Sequence, residues 1–331
     1  MKDPRIVITH RVHPEIIERL SLYGSVFANE NSESLDPEVL KEKSAGAEAL
    51  MVFMPDRIDE PFLACCPKLK IVACALKGYD NIDVDACARR SIWVSIVPDL
   101  LSAPTADLAV ALLLALTRNI VKGDRQVRSG AFQGWRPVLY GSGLHGKKAG
   151  IVGFGRVGRL IARRLIGFDL SVSFFDPNLK EDKAPVAVSR TFDLDEIVRE
   201  SDYLILAAPL GPATFHLFDR ERLGRVKPGA FMVNVGRGSV VDEGAVAEAL
   251  SIGRLSGYAA DVFEMEDLSL ASRPSSIPNS LLHASDRTLF TPHLGSAVAE
   301  VRLAIEKAAV ESIIDVLQGR RPVNAVSRIS S

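Results

Sequence analysis

The chain has 331 residues, 47% hydrophobic and 24% charged, with a formal net charge of −1. That length suits two domains. The balance of 40 basic and 41 acidic residues offers no basic excess of the kind that binds nucleic acid.

The opening Met1-Lys2-Asp3-Pro4-Arg5 lacks the apolar core and small-residue cleavage site of a secretory signal, so a cytoplasmic location is expected. Residues 5–9, 25–28, 49–53, 70–74 and 92–96 are short apolar runs that read as strands. Helical patterns lie between them, starting after Pro14, Asp36, Asp59 and Asp83. Asp36-Pro37 combines an N-cap side chain with proline at the first helical position. Strands separated by helices imply parallel pairing in an open α/β sheet. A long helix is expected over about 103–129. Its most apolar part, 108–116, falls short of the roughly 20 residues that a membrane span needs, so it reads as a buried helix and no membrane partner is expected.

The alternation then repeats, with strands at 148–152, 170–175, 203–207, 230–233, 256–260 and 288–291 and a final helix at 297–318. Residues 268–286, rich in Ser and Pro, read as a loop. Cys65, Cys66, Cys74 and Cys87 show no C-x-x-C spacing and read as buried free thiols. The organisation expected is two doubly wound α/β domains: a discontinuous substrate domain (1–100 and 290–331) and a dinucleotide-binding domain (101–289), with the substrate in a cleft between them.

The most informative segment is Gly153-Phe154-Gly155-Arg156-Val157-Gly158. It lies between a strand and a helix, and a second strand then ends in the acid Asp176. This order is the dinucleotide fingerprint. Gly153 permits the tight turn, Gly155 lets the backbone approach a pyrophosphate, and Gly158 lets the helix close on the sheet. The pyrophosphate then meets the free N–H groups of a helix N-terminus. A carboxylate at Asp176 suits the ribose hydroxyls of NAD and repels the extra phosphate of NADP. Pro177, Asn178 and Leu179 bring no arginine to offset it, and Lys180 is the nearest following cation.

Three further strand ends carry chemistry. They are Asn234-Val235-Gly236-Arg237-Gly238, the acid-rich Asp261 to Glu266 stretch, and Thr291-Pro292-His293. A guanidinium holds an oxyanion by paired hydrogen bonds. An imidazole oriented by a carboxylate is a competent acid or base. Glu264 and Asp267 read as solvated acids.

On these motifs the chain resembles the D-2-hydroxyacid dehydrogenase family, from Val7 to about Asn324. The resemblance implies a Rossmann NAD-binding domain, a flavodoxin-like substrate domain and a homodimer. It implies Arg237 as substrate anchor, His293 as acid/base and Glu266 as its partner. It also implies that Asp261 contacts the nicotinamide carboxamide, with Thr105, Pro209 and Val235 along the cofactor. Several strings resemble the phosphite-oxidising members of that family: Phe53-Met54-Pro55-Asp56-Arg57, Ala75-Leu76-Lys77-Gly78-Tyr79-Asp80-Asn81, Phe132-Gln133-Gly134-Trp135 and Tyr140-Gly141. Departures from that narrower pattern are Asp176-Pro177 in place of Glu-Ala and Val235-Gly236 in place of Pro-Cys.

The narrower resemblance implies phosphite as substrate. Its dianion is expected to recruit Lys77, Arg237 and Arg302. Lys77 and Gly78 are expected to bind it, while Met54, Trp135, Tyr140 and Ser296 shape the pocket. The alternative is a 2-hydroxyacid dehydrogenase acting on glyoxylate or hydroxypyruvate. A non-enzymatic NADH-sensing protein is a third reading, and it would leave Arg237, Glu266 and His293 idle.

Overall fold

In the computed structural model, which describes residues 4–179 and 187–327, the short apolar runs become parallel strands because both of their faces are covered. The first five are β1 (Arg5–Ile8), β2 (Ser25–Ala28), β3 (Ala49–Val52), β4 (Ile71–Cys74) and β5 (Trp93–Ser95). They form one parallel sheet in the order β2-β1-β3-β4-β5, the flavodoxin order. Side chains alternate between its two faces. Ile6, Ile8, Met51 and Ala73 enter one core, while Val7, Leu50, Val52 and Val72 enter the other. The late helix Ala299–Leu317 adds Ile305, Ala309 and Ile313 to the first of these cores. The expected N-caps are present. Asp36 accepts from Glu38 N, Asp59 from Phe62 N and Asp83 from Ala86 N. Each such cap is worth about 1 kcal/mol.

The other strands are β6 (Lys148–Val152), β7 (Ser171–Phe175), β8 (Val188–Arg190), β9 (Tyr203–Leu206), β10 (Ala230–Asn234), β11 (Leu255–Ala260) and β12 (Thr288–Phe290). Their parallel sheet runs β12-β11-β10-β9-β6-β7-β8. Strand order reverses between β6 and β9, the switch point at which Rossmann folds bind dinucleotides. Leu204, Leu206, Met232 and Ala260 face one core, and Ala149, Ile151, Ile205 and Val233 the other. The chain divides into two compact units. One holds the chain to Leu101, Leu268–Ala271 and the chain from Val298. The other holds Ser102–Asp267 and Ser272–Ala297.

Four local expectations change. The single helix over 103–129 is two helices, Ser102–Thr117 and Ile120–Arg128, bent by 63°. Asn119 breaks it with a left-handed φ of 54°, held because its Nδ2 donates to the carbonyls of Leu139 and Tyr140 at 3.3 and 3.2 Å. Strand β8 is an addition, and the 268–286 loop contains a short helix, Asn279–His283. Cys65 is exposed, whereas Cys66, Cys74 and Cys87 are buried as expected. Burial pushes the Cys66 thiol up to about 11 and the Cys87 thiol up to about 12, which keeps both protonated. No single helix among the described residues is long and apolar enough to cross a membrane.

Candidate active site

The fingerprint loop leaves β6 with Gly153 at φ +91°, where a Cβ would lie 2.7 Å from the backbone of Ala208. Gly155 caps the helix Arg156–Leu165, and no heavy atom lies within 4 Å of the place its Cβ would take. A pyrophosphate can therefore approach the backbone there, against the N–H groups of the first turn. A Cβ on Gly158 would come within 2.1 Å of Gly153 O, so the helix closes on the loop as a glycine at that position allows. Phe154 is fully buried and stacks on Phe174 with ring centroids 3.6 Å apart, which anchors the loop from beneath. Arg156 and Val157 begin the helix.

Asp176 follows β7. Its Oδ2 accepts from Phe154 N at 2.8 Å and its Oδ1 from Asn178 N at 2.9 Å, which fixes the carboxylate beside the loop. Pro177 next to it is exposed. Arg190 on β8 is a cation that sequence reading passed over. Its guanidinium donates to the carbonyls of Asp176 and Leu179 at 3.0 and 3.1 Å, so it braces this turn. Lys180 lies outside the described residues. The open cradle, the helix N-terminus and the fixed carboxylate fit NAD.

Arg237 follows β10 in extended backbone, φ −142° and ψ 148°. Asn234, fully buried, sets that turn. Its Oδ1 accepts from Gly236 N at 3.1 Å and its Nδ2 donates to Arg237 O at 2.9 Å. This is a positioning role that the motif did not reveal. Gly236 lies against Ala208 O, and Val235 before it is buried. Pro209 O, in the loop after β9, accepts from Thr214 Oγ1 at 2.7 Å.

His293 follows β12 with a φ of +55°, a strained value for a residue with a side chain. Asp261, after β11 and 2% exposed, imposes it. One of its carboxylate oxygens accepts from Thr291 Oγ1 at 2.6 Å and Leu294 N at 2.7 Å, and the other accepts from Gly295 N at 2.8 Å. Its backbone carbonyl accepts from His293 N at 2.9 Å. Burial raises the Asp261 carboxyl, and these donors work against that rise. Thr105 Oγ1 donates to Gly295 O at 3.2 Å, next to the half-buried Ser296.

Glu266 Oε2 lies 2.6 Å from His293 Nδ1, and its Oε1 accepts from Phe263 N at 2.9 Å. The carboxylate thus holds the ring by one nitrogen, and Nε2 is the nitrogen that can exchange a proton with a substrate. Strands β10, β11 and β12 are neighbours, so Arg237, Glu266 and His293 leave adjacent strand ends.

Behind this group the acids differ from expectation. Glu264 is 9% exposed and Asp267 2%, so neither is solvated. Glu243, 1% exposed, lies with them, and burial first, then these neighbouring carboxylates, push its carboxyl up to about 7. An unfolded chain would ionise it near 4.5. The stability it contributes is therefore complete below that pH and is lost as pH rises through about 7. Glu243→Gln is expected to raise Tm relative to the parent at pH 8 and to leave it unchanged near pH 4.5, measured by calorimetry.

Residues named for the substrate fall in both units. In the first, Met54 follows β3, and the half-buried Lys77 and Gly78 follow β4, at the carboxyl end of that sheet. Arg302 lies over the Phe53 ring, 4.6 Å from its centroid, with its Nε 3.4 Å from Glu306 Oε1. In the second, Trp135 and Tyr140 are 84% and 79% exposed on the segment after Ile120–Arg128.

Residues 110–295 match the family described as D-isomer specific 2-hydroxyacid dehydrogenase, NAD binding domain. The chain belongs to that family. The dehydrogenase is 38% identical over 330 residues to the glyoxylate reductase of Pyrococcus furiosus, covering 98% of this chain and 96% of that one. It is 36% identical to the glyoxylate reductase of Aeropyrum pernix, covering 99% and 97%. Its structure is similar to that of D-lactate dehydrogenase from Aquifex aeolicus complexed with NAD and lactic acid, at 25% identity and a TM-score of 0.86, covering 98% and 100%. NAD is the cofactor of this family, as expected.

The expectation of phosphite as substrate is overturned. Relatives matching nearly the full chain are named for glyoxylate reduction, which favours the 2-hydroxyacid alternative. Lysine and arginine side chains alone do not separate a phosphite dianion from a carboxylate.

Proposed function

We propose that this dehydrogenase reduces glyoxylate and similarly small 2-oxo acids with NADH, and oxidises the matching 2-hydroxy acids with NAD. The observation that carries this reading is the 2.6 Å contact of Glu266 with His293 Nδ1, on the strand end next to that of Arg237. NADH, held by the fingerprint loop and Asp176, would supply the hydride when bound. Arg237 holds the substrate carboxylate, and its planar fork also fixes the orientation of the carbonyl. His293 gives the Nε2 proton to the carbonyl oxygen as that oxygen gains charge. Glu266 stabilises the imidazolium beforehand and keeps the ring aligned. In the reverse direction neutral His293 takes the hydroxyl proton.

Purified protein with NADH and glyoxylate, hydroxypyruvate or pyruvate is the test, read by loss of NADH absorbance. Saturable turnover of glyoxylate supports the reading. No turnover of any 2-oxo acid, with activity on another substrate class, would overturn it. Cofactor choice gives a separate prediction. Asp176→Ala is expected to reduce the ratio of kcat/KM for NADH over NADPH by about tenfold, roughly 1.4 kcal/mol of lost ribose contact and lost phosphate repulsion. An unchanged ratio would show that Asp176 serves only Phe154 and Asn178.

A further inference from the structure

Arg237 and Glu266 come from different strand ends, yet the reaction needs them at a fixed separation. Behind them two backbone segments are drawn together without a side chain between. A Cβ on Gly238 would lie 1.8 Å from Phe263 C and 2.1 Å from Glu264 N. Two buried glutamates cross this seam reciprocally. Glu264 Oε1 accepts from Glu243 N at 2.9 Å, and Glu243 Oε1 accepts from Glu264 N at 2.9 Å. Asp267 Oδ2 adds a third bond, from Ser239 N at 2.7 Å. The remaining oxygen of Glu264 lies 2.9 Å from His216 Nε2. His216 is held at φ +46°, donates its N–H to Ser239 O at 2.7 Å and stacks on Phe215. One side of this seam begins at Arg237, and the other is the turn that carries Glu266.

We propose that Glu264, crossed with Glu243 and braced by His216 and Asp267, is a clasp that positions Glu266 against His293 and relative to Arg237. Glu264 is on this view a positioning residue, acting through Glu266. Two acids crossed in a buried seam cannot both be ionised cheaply. The proton that Glu243 retains toward neutral pH relieves that repulsion, and His216 supplies Glu264 with the facing donor. Glu266 and Asp261 bear on the His293 ring, and Glu243, His216 and the buried Tyr258 bear on Glu264.

The inference rests on the acid/base reading of His293, so its test includes a readout that needs no turnover. In Glu264→Ala the low-field NMR signal of the His293 Nδ1 proton, held in the contact with Glu266 Oε2, is expected to be lost as Glu266 drifts away. The kcat for glyoxylate is expected to fall about 30-fold, with the Kd of NADH changed by no more than about twofold. Glu264→Gln keeps an acceptor for Glu243 N and is expected to restore most of both. His216→Ala, at a partly exposed position, is expected to weaken the same signal without abolishing it, and it carries the test if Glu264→Ala does not fold. A folded variant whose Nδ1 signal and kcat match the parent overturns the clasp. So do equal losses of kcat in Glu264→Ala and Glu264→Gln with the Nδ1 signal intact. A parent that reduces no 2-oxo acid overturns the functional reading alone, because the NMR signal still decides the clasp.

Discussion

Replacing Arg237 with alanine is expected to lower kcat/KM for glyoxylate by about 10³-fold, while NADH affinity stays within about threefold. The size follows from losing a charge-assisted, two-pronged contact to a carboxylate, about 4 kcal/mol. NADH affinity is spared because the fingerprint loop and Asp176 follow β6 and β7, away from the turn after β10. The backbone there is set chiefly by Asn234 and by the contacts of Gly236 and Gly238, and truncation removes in addition the bond that Arg237 Nη1 donates to Gly236 O at 2.9 Å. Lysine at this position offers a point charge without the fork and is expected to recover only about tenfold. Steady-state kinetics and a fluorescence titration with NADH check both values. A near-normal kcat/KM would remove Arg237 from the substrate.

His293→Ala is expected to lower kcat by about 10³-fold, the range of a lost general acid in a preorganised site. Glu266→Gln is expected to lower it by about 10²-fold, because the imidazole loses the carboxylate that holds its Nδ1 side. The double variant is expected to be no slower than His293→Ala alone, since the two residues act as one unit. Alanine at 293 also meets the left-handed φ of +55°, so Asp261 and its hold on the 291–295 loop have to keep that backbone in place. A His293→Ala variant with the parent's kcat would leave proton transfer to another group.

Much of this fold was legible because parallel strands covered on both faces need unbroken apolar runs, as in Ala49–Val52 and Tyr203–Leu206. Strand β8 was not, because Val188–Arg190 is three residues long and only one of them is buried. The break at Asn119 was hidden because it depends on carbonyls 20 and 21 residues further along the chain. The fingerprint and the Arg237, Glu266 and His293 set were readable from their places after strands. The burial of Glu264, Glu243 and Asp267 was not, since local sequence marks acids as solvated and the close approach of Gly238 to Phe263 is made across 25 residues of chain. Substrate choice was read wrongly, because Lys77 and Arg302 are compatible with more than one anion and motif strings do not weigh charge.

The most direct measurement is mass spectrometry of the product formed from glyoxylate and NADH deuterated at both C4 positions. The account predicts glycolate carrying a single deuterium on its hydroxyl-bearing carbon, formed about 10³-fold more slowly by His293→Ala. Unlabelled glycolate, or no glycolate beside NAD-dependent turnover of phosphite, would contradict it.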